Sequence, residues 1–167
     1  MINLGKRLEA VAKLVGKREA AADIGCDHGR LSVSLLQKGQ VAHIYAVDIS
    51  AESLGKAVRL AALCGVGARL TALCGDGLSA LPAPAAAANP PPPDLAVIAG
   101  VGGKKIIEML SDPRRADGIK RFVLQPMRNV PEVERFLKTH DYQIIDKLVV
   151  EDGKKYVILY AAARAGT

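Results

Sequence analysis

The segment Asp23-Ile24-Gly25-Cys26-Asp27-His28-Gly29 sets two carboxylates and an imidazole among closely spaced glycines. Glycines in such a turn let the backbone approach a ligand closely. The spacing is neither GxGxxG nor a loop ending in GK[ST], the patterns that cradle phosphates at a helix N-terminus. Two carboxylates repel phosphate and attract the cationic end of an amino acid. The alternative is an ordinary strand-to-helix turn with solvated acids.

Two further acids fall at comparable places. Asp48 ends an apolar run 23 residues after Gly25. A carboxylate there can accept both hydroxyls of a ribose, with Ile49 beside it. Asp76 lies between Gly75 and Gly77, where an acid can take the exocyclic amine of an adenine; a plain Gly-Asp-Gly turn is the other reading. Ribose, adenine and an amino-acid ammonium together describe S-adenosylmethionine. Ala99-Gly100-Val101-Gly102-Gly103 ends another apolar run and offers a bare-backbone platform for a flat base, or a tight turn before a helix. Asn89-Pro90-Pro91 precedes that run and lacks an aromatic, so it is not the Asn-Pro-Pro-aromatic motif of amine methylation. His28 is either a general base or a hydrogen-bonding turn residue. Cys26 is a packing residue rather than a nucleophile.

These residues need strands that end together. Leu4, Leu8, Val11, Ala12 and Val15 recur at helical spacing behind Asn3, a candidate N-cap. Residues 20–25 read as a strand, 30–38 as a helix and 43–49 as a second strand. Ser50 can cap a helix running to about Cys64, with Glu52 in its first turn. Residues 69–74 and 94–99 are further strands. Between them lies an Ala/Pro-rich loop over 80–94, read as extended and mobile and too short for a domain boundary. A helix over 104–110, a strand over 122–125 and a helix over 132–140 follow. Two β-runs, 142–150 and 155–161, close the chain around a hairpin signal, Glu151-Asp152-Gly153-Lys154. Alternating strands and helices imply a parallel sheet with helices on both faces, and ligands at the strands' carboxyl ends.

The 167 residues suit one domain, and 50% are apolar, enough to bury a core. With no Trp and 4% aromatic residues, that core must be aliphatic. The net charge of +6 favours polyanionic partners such as nucleic acid. Three cysteines without a CxxC spacing argue against a structural zinc or a disulfide framework, and no metal is expected. No apolar run approaches the length needed to span a bilayer, so a cytoplasmic protein is expected.

The chain resembles the bacterial tRNA (adenine-N1)-methyltransferases that modify adenine 22 of tRNA. The resemblance rests on Leu4 to Ala12 (LGKRLEAVA), Asp23 to Leu31 (DIGCDHGRL), Gly75 to Leu78, Val97 to Gly103 (VIAGVGG), Leu124-Gln125-Pro126 and Glu151 to Tyr156 (EDGKKY). It implies a Rossmann-like class I methyltransferase fold: a seven-stranded, mostly parallel sheet with an antiparallel last strand. It implies a cofactor, S-adenosylmethionine, held by Asp23, Gly25, Cys26, Asp27, Gly29, Asp48, Ile49, Asp76, Gly77 and Ala99. Asp27, His28, Gly100, Gly102 and Gly103 would face the target base, and Lys104, Lys105 and Arg128 are the candidate tRNA phosphate contacts. The family's C-terminal helical region is not matched, because the sequence stops at Thr167. Two other readings stay open: a class I methyltransferase of a small molecule or protein, and a non-catalytic module that binds the cofactor or RNA.

Overall fold

A computed structural model describes residues 1–85, 87–115 and 117–165; Ala86, within the Ala/Pro loop, and Thr167 lie outside them. The elements run α1 (Gly5–Val15), β1 (Arg18–Ile24), α2 (Arg30–Gln37), β2 (Val41–Asp48), α3 (Ala51–Leu63), β3 (Leu70–Cys74), β4 (Leu95–Val101), α4 (Gly103–Ser111), β5 (Arg121–Pro126), α5 (Val130–Thr139), β6 (Tyr142–Asp152) and β7 (Lys154–Ala163). The seven strands form one sheet in the order β3-β2-β1-β4-β5-β7-β6. All pairings from β3 to β5 are parallel, whereas β7 runs antiparallel to both β5 and β6. The expected α/β class I methyltransferase architecture is therefore present.

The apolar side chains explain the layers. Val11 and Val15 of α1, Leu31 and Leu35 of α2, and Leu54, Ala57 and Ala61 of α3 share one core with Ala21 and Val97 of the sheet. Ile106 and Leu110 of α4 and Val133 and Leu137 of α5 share a second core with Ala22, Ile24, Ile98 and Phe122. Successive strand residues point to opposite faces, so β1 and β4 serve both cores and read as near-continuous apolar runs. The chain leaves β1 toward one edge through β2 and β3, then returns to build β4 on β1's other side. Such a reversal opens a crevice at the carboxyl ends of β1 and β4.

Some boundaries differ from the sequence expectation. The N-cap of α1 is Leu4, already helical at φ −90° and ψ −20°, so the Asn3 carboxamide instead accepts from the Gly5 N–H at 3.1 Å. Ser50 does cap α3, accepting from the Ser53 N–H at 3.2 Å. The closing hairpin is tighter than expected: Asp152 pairs with Lys154, and Gly153 alone turns the chain at φ +79°. The last prolines of the long loop are anchored, whereas Pro82 and Pro84 are exposed. Pro93 is buried, and the Tyr45 hydroxyl donates toward the carbonyls of Pro90 and Pro91 at 3.2 and 3.0 Å. Among the described residues, no helix is long and apolar enough to cross a membrane.

Gly25 and Gly29 both adopt positive φ, at +71° and +79°, but for different reasons. A Cβ on Gly29 would sit 2.6 Å from Ala57 Cβ and 2.9 Å from Ala57 Cα, so Gly29 is the contact where the start of α2 rests on α3. A Cβ on Gly25 meets nothing within 4 Å. Gly29→Ala should therefore destabilise the fold by about 2–4 kcal/mol, combining overpacking with backbone strain. Gly25→Ala should cost only about 1 kcal/mol, from backbone strain alone. Urea unfolding of the two variants checks this; equal losses would refute the packing role of Gly29.

Candidate active site

The carboxyl ends of β1 and β4 meet α1 around a cavity of about 300 Å³. Its lining includes Asp23, Gly25, Cys26, Asp27 and His28 from the first turn, Ala99 and Gly100 from β4, and Arg7 and Leu8 from α1. Arg30 and Leu31 of α2 complete the wall. The first turn and the end of β4, 70 or more residues apart in sequence, thus face one space.

Strand alternation aims Asp23 at the α2 side of the sheet, where the Ser32 hydroxyl donates to its Oδ2 at 2.7 Å. The carboxyl is buried, and its pKa is pushed up to about 6. Burial is the main cause; the Ser32 hydrogen bond opposes it, and the neighbouring charges of Asp48 and Asp27 add to it. Asp27 is non-glycine yet sits at φ +52°, which turns its carboxylate outward, 3.5 Å from His28 Nε2. Its own N–H donates to Asp48 Oδ2 at 2.9 Å, while the Ser50 N–H donates to Asp48 Oδ1 at 2.9 Å. A carboxylate has about four acceptor positions, so Asp48 keeps capacity for two hydroxyl donors. The N–H groups of Gly25 and Cys26 both donate to the Val47 carbonyl, at 2.8 and 2.9 Å, which ties the turn to the end of β2. Burial, then the charges of Asp23, Asp48 and Asp27, drives the Cys26 thiol well above its ordinary range, so it stays protonated and packs.

The other expected residues are placed less uniformly. Ile49 is exposed beside Asp48. Asp76 lies outside this cavity, in a charged hollow of about 290 Å³ with Met109, Asp112 and Arg114. Lys105 reaches Asp76 Oδ1 at 3.6 Å and Glu108 at 3.5 Å, so its charge is already engaged. Gly77, buried at φ +63°, packs under Met109. Gly100 is a bulge inside β4 at φ +79°, not a residue beyond the strand, and it borders the cavity. Gly102 lies beneath the Arg128 side chain, 3.6 Å from where a Cβ would be. Gly103 is buried; its N–H donates to the Arg128 carbonyl at 2.9 Å, and a Cβ there would fall 2.6 Å from that oxygen. It serves the packing of α4 on the turn before α5. Lys104 is exposed, and among the described residues no His/Cys/Asp/Glu cluster could hold a metal ion.

Two residues that the motif reading did not single out complete the cavity. Gln125, at the end of β5, is fully buried, and its Oε1 accepts from the Gly100 N–H at 3.1 Å and from Arg7 Nη1 at 2.5 Å. Arg7 reaches it from α1, and its guanidinium also lies 5.6 Å from the Tyr156 ring centroid. Both belong to segments that carried the family resemblance, which was the available signal; their meeting is not visible in spacing.

The methyltransferase-domain family matches residues 4–159. A Mycoplasma pneumoniae protein provisionally named a tRNA methyltransferase is 35% identical over 157 residues, spanning 92% of this chain and 69% of that protein. The crystal structure of the Bacillus subtilis m1A22 tRNA methyltransferase TrmK superposes with a TM-score of 0.85 at 28% identity, covering 98% of this chain and 68% of the other. A Streptococcus pneumoniae protein, provisionally named a tRNA (m1A22) methyltransferase and crystallised with S-adenosyl-L-methionine, superposes at 0.84 and 26% identity, covering 100% and 75%.

The raised pKa of Asp23 has a measurable sign. The unfolded chain releases this proton near 3.8 and the folded chain near 6, so ionised Asp23 opposes folding. The penalty is absent below the lower value, grows between the two and is complete above the higher one. Asp23→Asn, which keeps an acceptor for Ser32, should therefore stabilise the ligand-free protein by about 3 kcal/mol at pH 8 and by almost nothing at pH 3.5. Urea denaturation at the two pH values checks it; a gain independent of pH would show that ionisation is not the cause.

Proposed function

Since the chain belongs to the methyltransferase-domain family, we propose that it methylates N1 of an adenine in tRNA, of the adenine-22 type, with S-adenosylmethionine as donor. The observation that carries the reading is the single cavity in which Asp23, Gly25 and Asp27 face Ala99 and Gly100. The kinship with tRNA methyltransferases supports the substrate.

The residues fit the cofactor. Asp23 and the open backbone of Gly25 suit an ammonium group: the acid is buried and already short of positive charge, and nothing crowds Gly25. Asp48 has acceptor capacity left for ribose hydroxyls. Asp76 accepts the adenine amine once it shares its carboxylate between that donor and Lys105. Cys26 lines the cavity beside Gly25, Gly29 and Gly77 shape the turns rather than touch the ligand, and Ile49 covers its rim. S-adenosylmethionine supplies a methyl group on a sulfonium, an electrophile that needs no activation by the protein.

Adenine N1 carries a free lone pair at neutral pH, so no side chain has to remove a proton before transfer. The work left to the protein is positioning and exclusion of water. N1 lies on the Watson–Crick edge, so the base must be unpaired or flipped into the cavity. The bulged backbone at Gly100, bare of a side chain, lets the ring lie close to the β4 edge. Asp27, aimed outward and steadied by His28, accepts from the ring's exocyclic amine. Outside the cavity Lys104 and Arg128 contact phosphates, with Lys105 as a third candidate; such contacts make binding salt-dependent. The cytoplasm is the compartment this substrate implies.

Incubating the protein with S-adenosylmethionine and unmodified tRNA should yield 1-methyladenosine by nucleoside mass spectrometry. Methylation of a protein or metabolite instead would overturn the RNA substrate. Asp48→Ala should weaken S-adenosylmethionine binding in calorimetry by about 1.5–3 kcal/mol, the scale of hydrogen bonds to a charged group. NAD should raise the melting temperature less than S-adenosylmethionine at equal concentration, because the acidic turn disfavours a pyrophosphate; the reverse order would refute the methyl-donor reading.

A further inference from the structure

Among the described residues, the buried polar side chains are Asp23, Ser32, Ser34 and Gln125. Ser32 is bonded to Asp23 and serves the acidic turn. Gln125 stands apart from that turn, fully buried at the end of β5. Burying an amide is costly unless its hydrogen bonds are made, and a methionine would fill the same space without that cost. The bonds of Gln125 are made. Its oxygen accepts from the Gly100 N–H at 3.1 Å and from Arg7 Nη1, and its nitrogen donates to the Pro126 carbonyl at 3.0 Å and toward Met127 Sδ at 3.6 Å. Rotating the amide would turn its NH2 toward two donors, so its orientation is set. Two acceptor positions and two hydrogens are all engaged, which leaves none for a ligand.

The bond to Gly100 has a specific origin. Ala99 pairs with Gln125 and Val101 with Pro126, so β4 uses one residue more than β5 over this step. Gly100 is the extra residue, and the extra residue of a bulge is left without a ladder partner. The Gln125 side chain supplies the acceptor that the β5 backbone does not. Gly100 is exposed and sits at φ +79°, yet its N–H points inward to this buried amide. The bulge also changes what the strand presents. Neighbours in a regular strand face opposite sides, whereas Ala99, Gly100 and Val101 all line the main cavity. Bulges beside active sites re-aim the chain in this way.

We propose that Gln125 is a positioning residue for methyl transfer: it clamps the bulge at Gly100, and the clamped bulge sets how the acceptor base lies against the end of β4. The proposal rests on the tRNA methyltransferase reading above. Gln125 touches no ligand, so its effect passes through the Gly100 backbone. Without the acceptor, the Gly100 N–H loses its partner and the bulge is free to relax. A displacement of about 1 Å at reacting groups costs on the order of a hundredfold in rate. The groups assigned to the cofactor, Asp23 and Asp48, are held by Ser32, Asp27 and Ser50 and do not depend on this clamp.

Three measurements on the full chain test it: tRNA methylation kinetics, calorimetry with S-adenosylhomocysteine, and amide hydrogen exchange by NMR. Gln125→Met should lower kcat by about tenfold to a hundredfold, with KM and S-adenosylhomocysteine affinity within about twofold of the wild type. Gln125→Glu, which restores an oxygen acceptor for Gly100, should recover much of that loss. Exchange at the Gly100 amide should speed up by about tenfold or more in Gln125→Met and slow again in Gln125→Glu, while Ile98 in the same strand stays unchanged; a general loss of stability would speed both. Should Gln125→Met fail to fold, the wild type still decides, because rapid exchange at Gly100 in the folded protein would overturn the clamp. Unchanged kcat in Gln125→Met would overturn the role, and so would S-adenosylhomocysteine affinity falling in step with kcat, which would place Gln125 in the support of the cofactor site. A wild-type chain that binds S-adenosylhomocysteine but methylates no tRNA would instead overturn the reading on which the role rests.

Discussion

Everything at this site is arranged around a carboxyl group buried at the end of β1. Asp23 has lost most of its water, and one hydroxyl from α2 replaces only part of it. Two more carboxylates, Asp27 and Asp48, stand near enough to raise its pKa further. No lysine or arginine pairs with Asp23 among the described residues. A fold optimised for stability alone would place a cation or an apolar side chain there. The strain is local, and a ligand that brought its own positive charge would relieve it, so affinity for such a ligand and the cost to the fold would have one origin.

The scaffold makes this possible by keeping the ends of β1 and β4 free of crossing connections. Helices α1 to α3 cover one face and α4 and α5 the other, and the strands between them are short and apolar. Small residues in β1, from Ala20 to Ala22, let both helical layers sit close to the sheet. The turns at the carboxyl edge are then left to hydrogen bonds: Val47's carbonyl accepts two N–H groups, and Asp48 accepts two more. The acidic turn is therefore rigid before any ligand arrives, which reduces the ordering cost of binding.

The sheet, its alternating connections and its closing hairpin were legible because they rest on periodicity and on turn residues adjacent in sequence. Ser50 as a cap and the cluster of Asp23, Asp27 and Asp48 were legible for the same reason. The glycines at the end of β4 and just beyond it were less so. Gly100, Gly102 and Gly103 look alike in sequence, yet one borders the cavity and another is buried under the Arg128 carbonyl. A missing side chain does not say whether a ligand or a helix takes the space. The Arg7–Gln125 contact was not legible at all, since its partners lie 118 residues apart and neither forms a local pattern. Asp76 follows the end of β3, within the Gly-Asp-Gly turn, but its pairing with Lys105 depends on the placement of α4.

The cavity wall formed by α1 is held by the hairpin of β6 and β7. Asp152 of β6 accepts from the Arg7 N–H, 145 residues away, and Tyr156 of β7 lies against the Arg7 guanidinium. On the ribosome, the acidic turn and the first strands emerge long before the hairpin that fastens this wall. A nascent chain therefore exposes an open-sided pocket until translation has passed Tyr156. Assembly of the cavity therefore waits for the hairpin, and a chain released before it carries its acidic motif without the wall that faces it.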